Sequence, residues 1–268
     1  MTRFGCVAGI QARMSSTRLP GKVLADLRGK PLIQRVYERT RAAALVDEAI
    51  VLTSSDASDD VLVACLEDLG IPYRRGPLDD VLSRYLELAE ELRPSFLVRV
   101  TGDCPFVEPD FIDLQLGALR ALRGDIVCVA NDRAGALEGT LGGQSAFSTR
   151  ALRLVESSAD PRDREHVGSF FFRRHVAELR SVDIEADEAF EFPGLRLQVD
   201  EPADLEFVRT VWRAVDHEGD GRFPLARALR WIAAHPEARE VNQHVRESAD
   251  NRALRSLARA SERAGGAR

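Results

Sequence analysis

The sequence predicts an α/β fold: a doubly wound, mostly parallel sheet with helices on both faces. Two observations predict it. Short apolar segments alternate with amphipathic helical patterns through the first 130 residues. Several of these segments are rich in valine and isoleucine and apolar on both faces, which is typical of strands buried in a parallel sheet. Strands that alternate with helices are connected by right-handed crossovers, and the resulting sheet is doubly wound.

The elements of this first part follow one another at regular spacing. Predicted strands cover residues 4–10, 48–53, 71–75, 96–101 and 125–130, and predicted helices cover 31–44, 59–69, 78–92 and 109–122. The last of these helices shows the pattern well. Pro109 suits a first helical turn, and Ile112, Leu116 and Leu119 then repeat on one face.

The second part of the chain is less regular. A glycine-rich connection at 131–144 is followed by a predicted helix at 149–157, a strand at 195–199, a helix at 202–215 and a helical pattern at 224–264. No internal repeat or long linker divides the sequence. It therefore predicts one domain over 1–268, with an inserted α+β lobe at 131–190 and a helical extension at 224–268.

Composition limits the function classes. The 268 residues include 43 acidic and 37 basic side chains, a net charge of −6. This balance argues against a duplex nucleic-acid binder, which needs a net basic face. No apolar segment approaches the roughly 20 residues that span a bilayer, and the first residues lack a secretory pattern. The four cysteines fit neither a zinc site nor a disulfide framework, so we expect reduced thiols in a cytoplasmic protein.

The loop after the first strand is the strongest functional feature. Residues 9–22 read Gly-Ile-Gln-Ala-Arg-Met-Ser-Ser-Thr-Arg-Leu-Pro-Gly-Lys and place Arg13, Arg18 and Lys22 at intervals of five and four. Ligands of open α/β sheets bind at the carboxyl ends of strands. Small hydroxyl residues and backbone amides pack closely on phosphate, which arginine and lysine neutralise. The loop is not a Walker A motif, because Ser16 and Val23 stand where glycine and a hydroxyl residue are required.

The alternative for this loop is a solvated, arginine-rich surface segment. Arginine is so common in this chain that its presence alone carries little information. Lys22 is different, because the chain has only two lysines, Lys22 and Lys30. Weighed as a whole, the loop predicts a phosphate-binding site.

Two aspartates follow other predicted strands. Asp103 ends the segment Arg-Val-Thr-Gly-Asp-Cys-Pro at 99–105, and Asp200 lies in Val-Asp-Glu-Pro-Ala-Asp at 199–204. Mg²⁺ is usually held by one or two carboxylates together with substrate phosphates and waters. Each aspartate alone fits a turn or a helix cap, and Asp204 is expected on a helix surface. As a pair facing the basic loop, Asp103 and Asp200 are predicted to bind Mg²⁺.

These motifs resemble those of the cytidylyltransferases of the acylneuraminate and deoxyoctulosonate type, in particular the SpsF-like branch of spore-coat polysaccharide biosynthesis. The resemblance rests on residues 10–22 and 99–105. It also includes Arg-Gly at 75–76 with Asp-Asp-Val-Leu at 79–82, Arg-Glu-His-Val at 164–167, and Val-Asp-Glu-Pro-Ala-Asp at 199–204. Weaker matches lie near Asn242 and Ser256. It implies a GT-A-like nucleotidyltransferase fold and the transfer of CMP from CTP to a small acceptor, with release of pyrophosphate.

The resemblance also implies roles for individual residues. Arg13, Lys22 and Asp103 would be catalytic, and Asp103 and Asp200 would hold Mg²⁺. The residues implied to bind the nucleotide are Gln11, Ala12, Arg13, Ser15, Arg18, Lys22, Ser54, Arg75 and Arg99. Those implied to bind the acceptor are Asn131, Gln144, Glu165 and His166. A homodimer paired through the inserted lobe is the expected assembly, with neither nucleic acid nor membrane as a partner.

One segment departs from the pattern of this family. SpsF-like relatives usually carry an acidic Gly-Leu-Asp-Val-Glu-Val-Phe segment, whereas residues 141–147 read Leu-Gly-Gly-Gln-Ser-Ala-Phe. Either the acceptor differs, being smaller or more anionic (a phosphonate or a phosphosugar), or acceptor binding is lost; Glu138 is a candidate to compensate. The other hypotheses are a nucleotidyltransferase or glycosyltransferase that uses another nucleotide, and a catalytically silent nucleotide-binding scaffold.

Overall fold

The structure, a computed structural model, describes residues 5–129, 137–156, 158, 160–165, 167 and 178–246. Within these residues a single mixed sheet of seven strands has the order β3-β2-β1-β4-β6-β5-β7. The strands are β1 (Cys6–Gln11), β2 (Glu48–Ser54), β3 (Tyr73–Gly76), β4 (Phe96–Thr101), β5 (Ile126–Val129), β6 (Gln144–Ser148) and β7 (Ser181–Ile184). The predicted α/β class, with a mostly parallel sheet, is confirmed.

Parallel pairing brings the functional strand ends together. β1 pairs with both β2 and β4, and Gln11 at its end lies opposite Leu52 and Thr101. The residues of β1 from Cys6 to Ile10 are buried, in keeping with a central strand covered on both faces. The loops that follow β1, β2 and β4 therefore lie at one edge of the sheet.

Two strands of the sheet were not predicted. β6 runs antiparallel to β4, and β7 runs parallel to β5. Both are short, and their sequences, Gln-Ser-Ala-Phe-Ser and Ser-Val-Asp-Ile, are half polar. Both fall within residues 131–190, so part of the predicted inserted lobe is built into the central sheet; the lobe and the extension remain predictions as domain boundaries.

Helices cover both faces of the sheet. They are α1 (Leu32–Arg41), α2 (Asp60–Asp68), α3 (Val81–Leu92), α4 (Pro109–Leu122), α5 (Glu138–Leu141), α6 (Thr149–Val155), α7 (Pro161–Glu165), α8 (Pro202–Val215) and α9 (Leu225–Ala234). Local caps begin several of them: Asp80 accepts a hydrogen bond from the Ser83 amide at α3, and Ser148 accepts one from Ala151 at α6.

Two predicted elements are wrong. Residues 195–199 form no strand. The segment makes one backbone hydrogen bond to the connection that follows β4, from the Val199 amide to the Asp103 carbonyl at 2.9 Å. The helix predicted over 224–264 ends at Ala234, because Pro236 removes an amide donor and a 3₁₀ turn follows at Pro236–Val241. Its remainder from 247 lies outside the described residues.

The core consists of one apolar cluster on each face of the sheet. The larger cluster packs β1, α1, α4 and α8, with Trp212 fully buried, and the smaller one packs Tyr85 of α3 and Phe147 of β6. The four cysteines all lie within the described residues and form no disulfide bond there. In the part of the chain that the structure describes, no helix is long and apolar enough to cross a bilayer.

Candidate active site

Lys22 lies between the two aspartates that the sequence singled out. Its ammonium Nζ donates to Asp103 Oδ2 at 2.5 Å and to Asp200 Oδ1 at 3.0 Å. The three side chains are 9%, 15% and 10% exposed. The structure thus brings together three residues from the β1 loop, the end of β4 and the segment before α8.

The charges of this group stabilise one another. Burial by itself would lower the pKa of Lys22, but the carboxylates of Asp103 and Asp200 raise it above its usual value. Burial would raise the pKa of Asp103, but the charge and hydrogen bond of Lys22 lower it. Both shifts favour the ionised pair. Lys22 is therefore a charged ammonium at the centre of the site.

Asp200 is surrounded by cations. Its Oδ2 also accepts from Arg18 Nη2 at 2.9 Å and from Arg196 Nη2 at 3.0 Å. The expectation that Asp204 lies on a helix surface is wrong. Its side chain is fully buried and accepts hydrogen bonds from the amides of Asp200 and Glu201 at 3.1 Å. Asp204 therefore fixes the turn that presents Asp200.

Two glycines set the backbone of the site. Gly21 has φ 73°, in the left-handed region, and so turns the chain directly before Lys22. At Gly102 a Cβ atom would lie 2.9 Å from the Gln11 carbonyl oxygen and 2.9 Å from Ala12 Cβ. The ends of β1 and β4 approach this closely only because residue 102 has no side chain.

A residue that the sequence analysis missed anchors the β1 loop. Asp59 is fully buried and accepts from the Met14 amide at 2.7 Å, and from the amide and hydroxyl of Ser54 and the hydroxyl of Thr53. Burial would raise its pKa, but these hydrogen bonds lower it overall. Asp59 resembled an ordinary helix-start residue, and its contact with Met14 spans 45 positions, so no local pattern indicated it.

The remaining residues of the β1 loop differ in their surroundings. Gln11 accepts at Oε1 from Arg99 Nε at 3.0 Å, across the β1–β4 pair. Ala12 is buried, and its amide donates to the Leu52 carbonyl. Ser15 is exposed. Arg13 pairs with Glu165 at 3.2 Å, with both side chains at least 40% exposed. Their implied nucleotide contacts stay predictions.

The polar groups of Ser54 and Arg75 form hydrogen bonds within the protein. Ser54 is fully buried, and its amide and hydroxyl both donate to Asp59. Arg75 donates from Nε to the Ser54 carbonyl at 2.7 Å and pairs with Asp60 at 2.7 Å. A nucleotide contact of the Ser54 hydroxyl would have to replace its bond to Asp59.

The residues implied to bind the acceptor are only partly within the described residues. Gln144 begins β6 and is 5% exposed, whereas Glu165 lies at the surface and pairs with Arg13. Asn131 and His166 lie outside the described residues. Gln144 lines an open cavity of about 340 Å³, bounded by residues 104, 106–107, 139–140, 142–144, 194–198, 243 and 245.

Comparison with known proteins assigns the family. The family model for cytidylyltransferases matches residues 7–222, which include the β1 loop, Asp103 and Asp200. The chain belongs to the cytidylyltransferase family. The enzyme is 31% identical over 215 residues to SpsF, the spore coat polysaccharide biosynthesis protein of Bacillus subtilis (strain 168), covering 79% of this chain and 88% of SpsF. The resemblance stated from the motifs is confirmed, and so is the enzyme class, CTP-dependent nucleotidyl transfer.

Solved structures share the fold of this cytidylyltransferase. A cytidylyltransferase from Leptospira borgpetersenii serovar Hardjo-bovis (strain JB197) has a TM-score of 0.78 at 20% identity, covering 92% of this chain and all of the other. CMP:2-keto-3-deoxy-manno-octonic acid synthetase complexed with CTP has a TM-score of 0.58 at 22% identity, covering 78% of this chain and 98% of that one.

The carboxylates of this cytidylyltransferase fit a magnesium ion. Asp103 and Asp200 each place an oxygen within hydrogen-bond distance of the Lys22 ammonium, which lies between them, so the two carboxylates are neighbours. No cluster of three or more His, Cys, Asp or Glu residues suited to a metal occurs among the described residues. A pair of hard carboxylate oxygens, completed by phosphate and water, is the set that Mg²⁺ commonly uses.

Proposed function

We propose that this cytidylyltransferase transfers CMP from CTP to a hydroxyl of a sugar-like acceptor in a magnesium-dependent reaction. The observation that carries the proposal is the buried group of Lys22, Asp103 and Asp200 at the carboxyl edge of the sheet. The relative complexed with CTP supports the choice of nucleotide.

The β1 loop would bind the triphosphate. Lys22 supplies a compact positive charge, while Arg13 and Arg18 lie at the rim with 40% and 30% of their side chains exposed. Arginine forks and a lysine ammonium match phosphate oxygens. Because their positions are fixed by the fold, they would neutralise the charge that grows on the departing pyrophosphate.

The reaction would be an in-line displacement at the α-phosphorus. An acceptor hydroxyl oxygen forms the new bond, the bond to the pyrophosphate oxygen breaks, and the hydroxyl proton passes to water. Little covalent help from the protein is needed, because positioning and charge neutralisation supply most of the catalysis. Asp103 and Asp200 would hold Mg²⁺, which when bound supplies positive charge to the phosphate oxygens.

Thermal unfolding with CTP, UTP, GTP and ATP, each with and without Mg²⁺, tests nucleotide and metal together. A ligand present at roughly 100 times its Kd stabilises a protein by about 2.7 kcal/mol. Near this chain length that corresponds to a Tm increase of roughly 5–10 °C. We expect this increase with CTP and Mg²⁺, and a smaller one with CTP alone.

The variant Asp103→Ala separates metal binding from folding. Lys22 keeps Asp200 as a partner in this variant, so we expect the protein to fold but to release no pyrophosphate. Its Tm with CTP and Mg²⁺ should equal its Tm with CTP alone. Near-normal turnover by Asp103→Ala would contradict the metal assignment. A Tm increase with another nucleotide in place of CTP would contradict the choice of CTP.

A further inference from the structure

The carboxylates of Asp103 and Asp200 are bound by cations of the protein itself. Lys22 Nζ donates to Asp103 Oδ2 at 2.5 Å and to Asp200 Oδ1 at 3.0 Å. The second oxygen of Asp200 accepts from Arg18 Nη2 at 2.9 Å and from Arg196 Nη2 at 3.0 Å. Three of the four carboxylate oxygens therefore have a charged nitrogen as a partner. A metal ion that takes both aspartates as ligands competes with these cations for the oxygen atoms.

Lys22 is the cation that competes most directly with a metal ion. Its ammonium lies between one oxygen of each aspartate, and the three side chains are at most 15% exposed, so little water screens the charges there. Mg²⁺ binds oxygen ligands at about 2.0–2.1 Å. An ion at that distance from both oxygens would lie close to the ammonium, and two positive charges repel each other strongly where the dielectric constant is low. Lys22 and the ion therefore exclude each other from the position between the aspartates.

Arg196 is held in place, whereas Lys22 is able to move. Arg196 pairs with Asp204 at 3.3 Å as well as with Asp200. Asp204 is fully buried and accepts from two backbone amides and from Asn242 Nδ2 at 3.0 Å. Lysine carries its charge on a flexible four-carbon chain, so the Lys22 ammonium can leave the carboxylates by rotation of its side chain alone.

A triphosphate supplies new partners for the cations of the β1 loop. Lys22 and Arg18 both belong to this loop, and phosphate oxygens are strong acceptors for an ammonium and for a guanidinium. A triphosphate bound to the loop would take both cations from Asp103 and Asp200. Carboxylates that are buried without a cation are unfavourable. A divalent ion would restore the positive charge that the aspartates lose in this exchange.

We propose that Lys22 and the divalent metal ion compete for Asp103 and Asp200, and that a triphosphate on the β1 loop decides this competition in favour of the metal ion. The proposal rests on the proposed function with its magnesium site, and it adds an order of binding: the metal ion binds after the nucleotide or together with it. Lys22 has two successive partners, the aspartates before the nucleotide binds and the phosphates afterwards.

Titration of the enzyme with Mn²⁺ alone tests the competition without any turnover, with the free ion followed by its electron paramagnetic resonance signal. We expect Lys22→Met to bind Mn²⁺ at least about tenfold more tightly than the wild type, because the variant leaves two buried carboxylates without their shared cation. Equal Kd values would overturn the proposal. The wild-type Tm is a second measurement, which does not depend on the folding of Lys22→Met. Mn²⁺ alone should leave it unchanged, and an increase of more than about 2 °C that Asp103→Ala abolishes would also overturn the proposal.

Two further variants locate the effect. Lys30→Met is the matched control, because Lys30 is the other lysine of the chain and pairs with Glu38 at 2.6 Å with 35% of its side chain exposed. We expect Lys30→Met to bind Mn²⁺ as weakly as the wild type. Lys22→Met combined with Asp103→Ala should lose the tight binding, and tight binding that survives in this double variant would place the ion elsewhere and overturn the proposal. The proposed function fails separately, if CTP with Mg²⁺ does not raise the Tm of the wild type.

Discussion

Lys22 occupies a position that suits lysine and not arginine. A single ammonium donates to Asp103 and Asp200 from one atom, in a space that leaves the lysine side chain 9% exposed. A planar guanidinium spreads its charge and donors over a larger fork. This explains why one of the two lysines in an arginine-rich chain stands here.

Asp59 is a second single residue on which the site depends, because its side chain binds backbone amides. It joins the Met14 amide of the β1 loop to Ser54 at the end of β2. The Asp59 carboxylate makes no hydrogen bond to Lys22, Asp103 or Asp200, so Asp59 is a positioning residue for the β1 loop.

We expect Asp59→Asn to lower the free energy of unfolding by about 1–3 kcal/mol at neutral pH, because an amide supplies fewer acceptors to the buried donors. The pKa of Asp59 is lowered from 3.8 in the folded protein. Its carboxylate therefore stabilises the fold above that pH, and the contribution is lost as the pH falls through the folded value.

Urea unfolding at pH 7, 5 and 3 measures this dependence. The difference between the wild type and Asp59→Asn should be constant from pH 7 to 5 and smaller at pH 3. Asp60→Asn is the control, since the Asp60 side chain is 64% exposed and a surface pair contributes about 0–1 kcal/mol. A difference that does not change at pH 3 would show that the ionised carboxylate is not the stabilising form.

At the scale of elements, the contact between the ends of β1 and β4 positions the Asp103 carboxylate. The Gly102 amide donates to the Gln11 carbonyl at 2.8 Å, and Asp103 follows directly. The Asp103 carbonyl in turn accepts from the Val199 amide at 2.9 Å. The position of Asp103 thus depends on how closely two strands and the 195–199 segment approach.

Gly102→Ala tests this dependence. A Cβ atom there lies 2.9 Å from the Gln11 oxygen, so the strand ends must separate and Asp103 must move. We expect kcat/KM to fall by about 10- to 100-fold, measured by pyrophosphate release. Gly117→Ala on α4 is the control, because nothing lies within 4 Å of its added Cβ and alanine favours a helix by roughly 0.5–1 kcal/mol. Unchanged kcat/KM in Gly102→Ala would show that the ends of the strands are free to adjust.

At the scale of the whole molecule, a buried arginine connects the site to the C-terminal helices. Arg39 of α1 is 4% exposed and donates to the carbonyls of Val107, Gly221 and Phe223. Its Nη2 lies 3.7 Å from Glu108, which accepts from the amide of Leu225 at the start of α9. The Glu108 amide also donates to Gln144, so this network supports one wall of the open cavity that Gln144 lines.

We expect Arg39→Met to lower the free energy of unfolding by about 3–5 kcal/mol, because it leaves the Glu108 carboxylate buried without its cation. Burial already raises the pKa of Glu108. Urea unfolding at pH 7 measures the loss. Arg41→Met, an exposed change on the same helix, should shift stability by less than about 1 kcal/mol. Equal losses in the two variants would contradict the importance of the buried pair.

Local sequence patterns were sufficient for the parallel half of the fold. Strands buried on both faces are continuous apolar segments, so β1, β2 and β4 were predicted close to their observed bounds. The loop after β1 and the aspartate after β4 were found for a related reason. In a parallel sheet the residues that follow each strand lie at the same edge. Charged residues at these positions of the sequence therefore predict a single site.

Other features depended on contacts between distant parts of the chain. β6 and β7 are short and half polar, and they become strands only because β4 and β5 offer free edges for pairing. Asp204 appeared to be a surface residue, yet it is buried by Arg196 and Asn242. The open cavity that Gln144 lines combines segments near residues 104, 142, 196 and 243. The periodicity of a segment reports which of its own faces is apolar. Which distant segment covers that face, and which polar groups are buried together, is decided only when the whole chain packs.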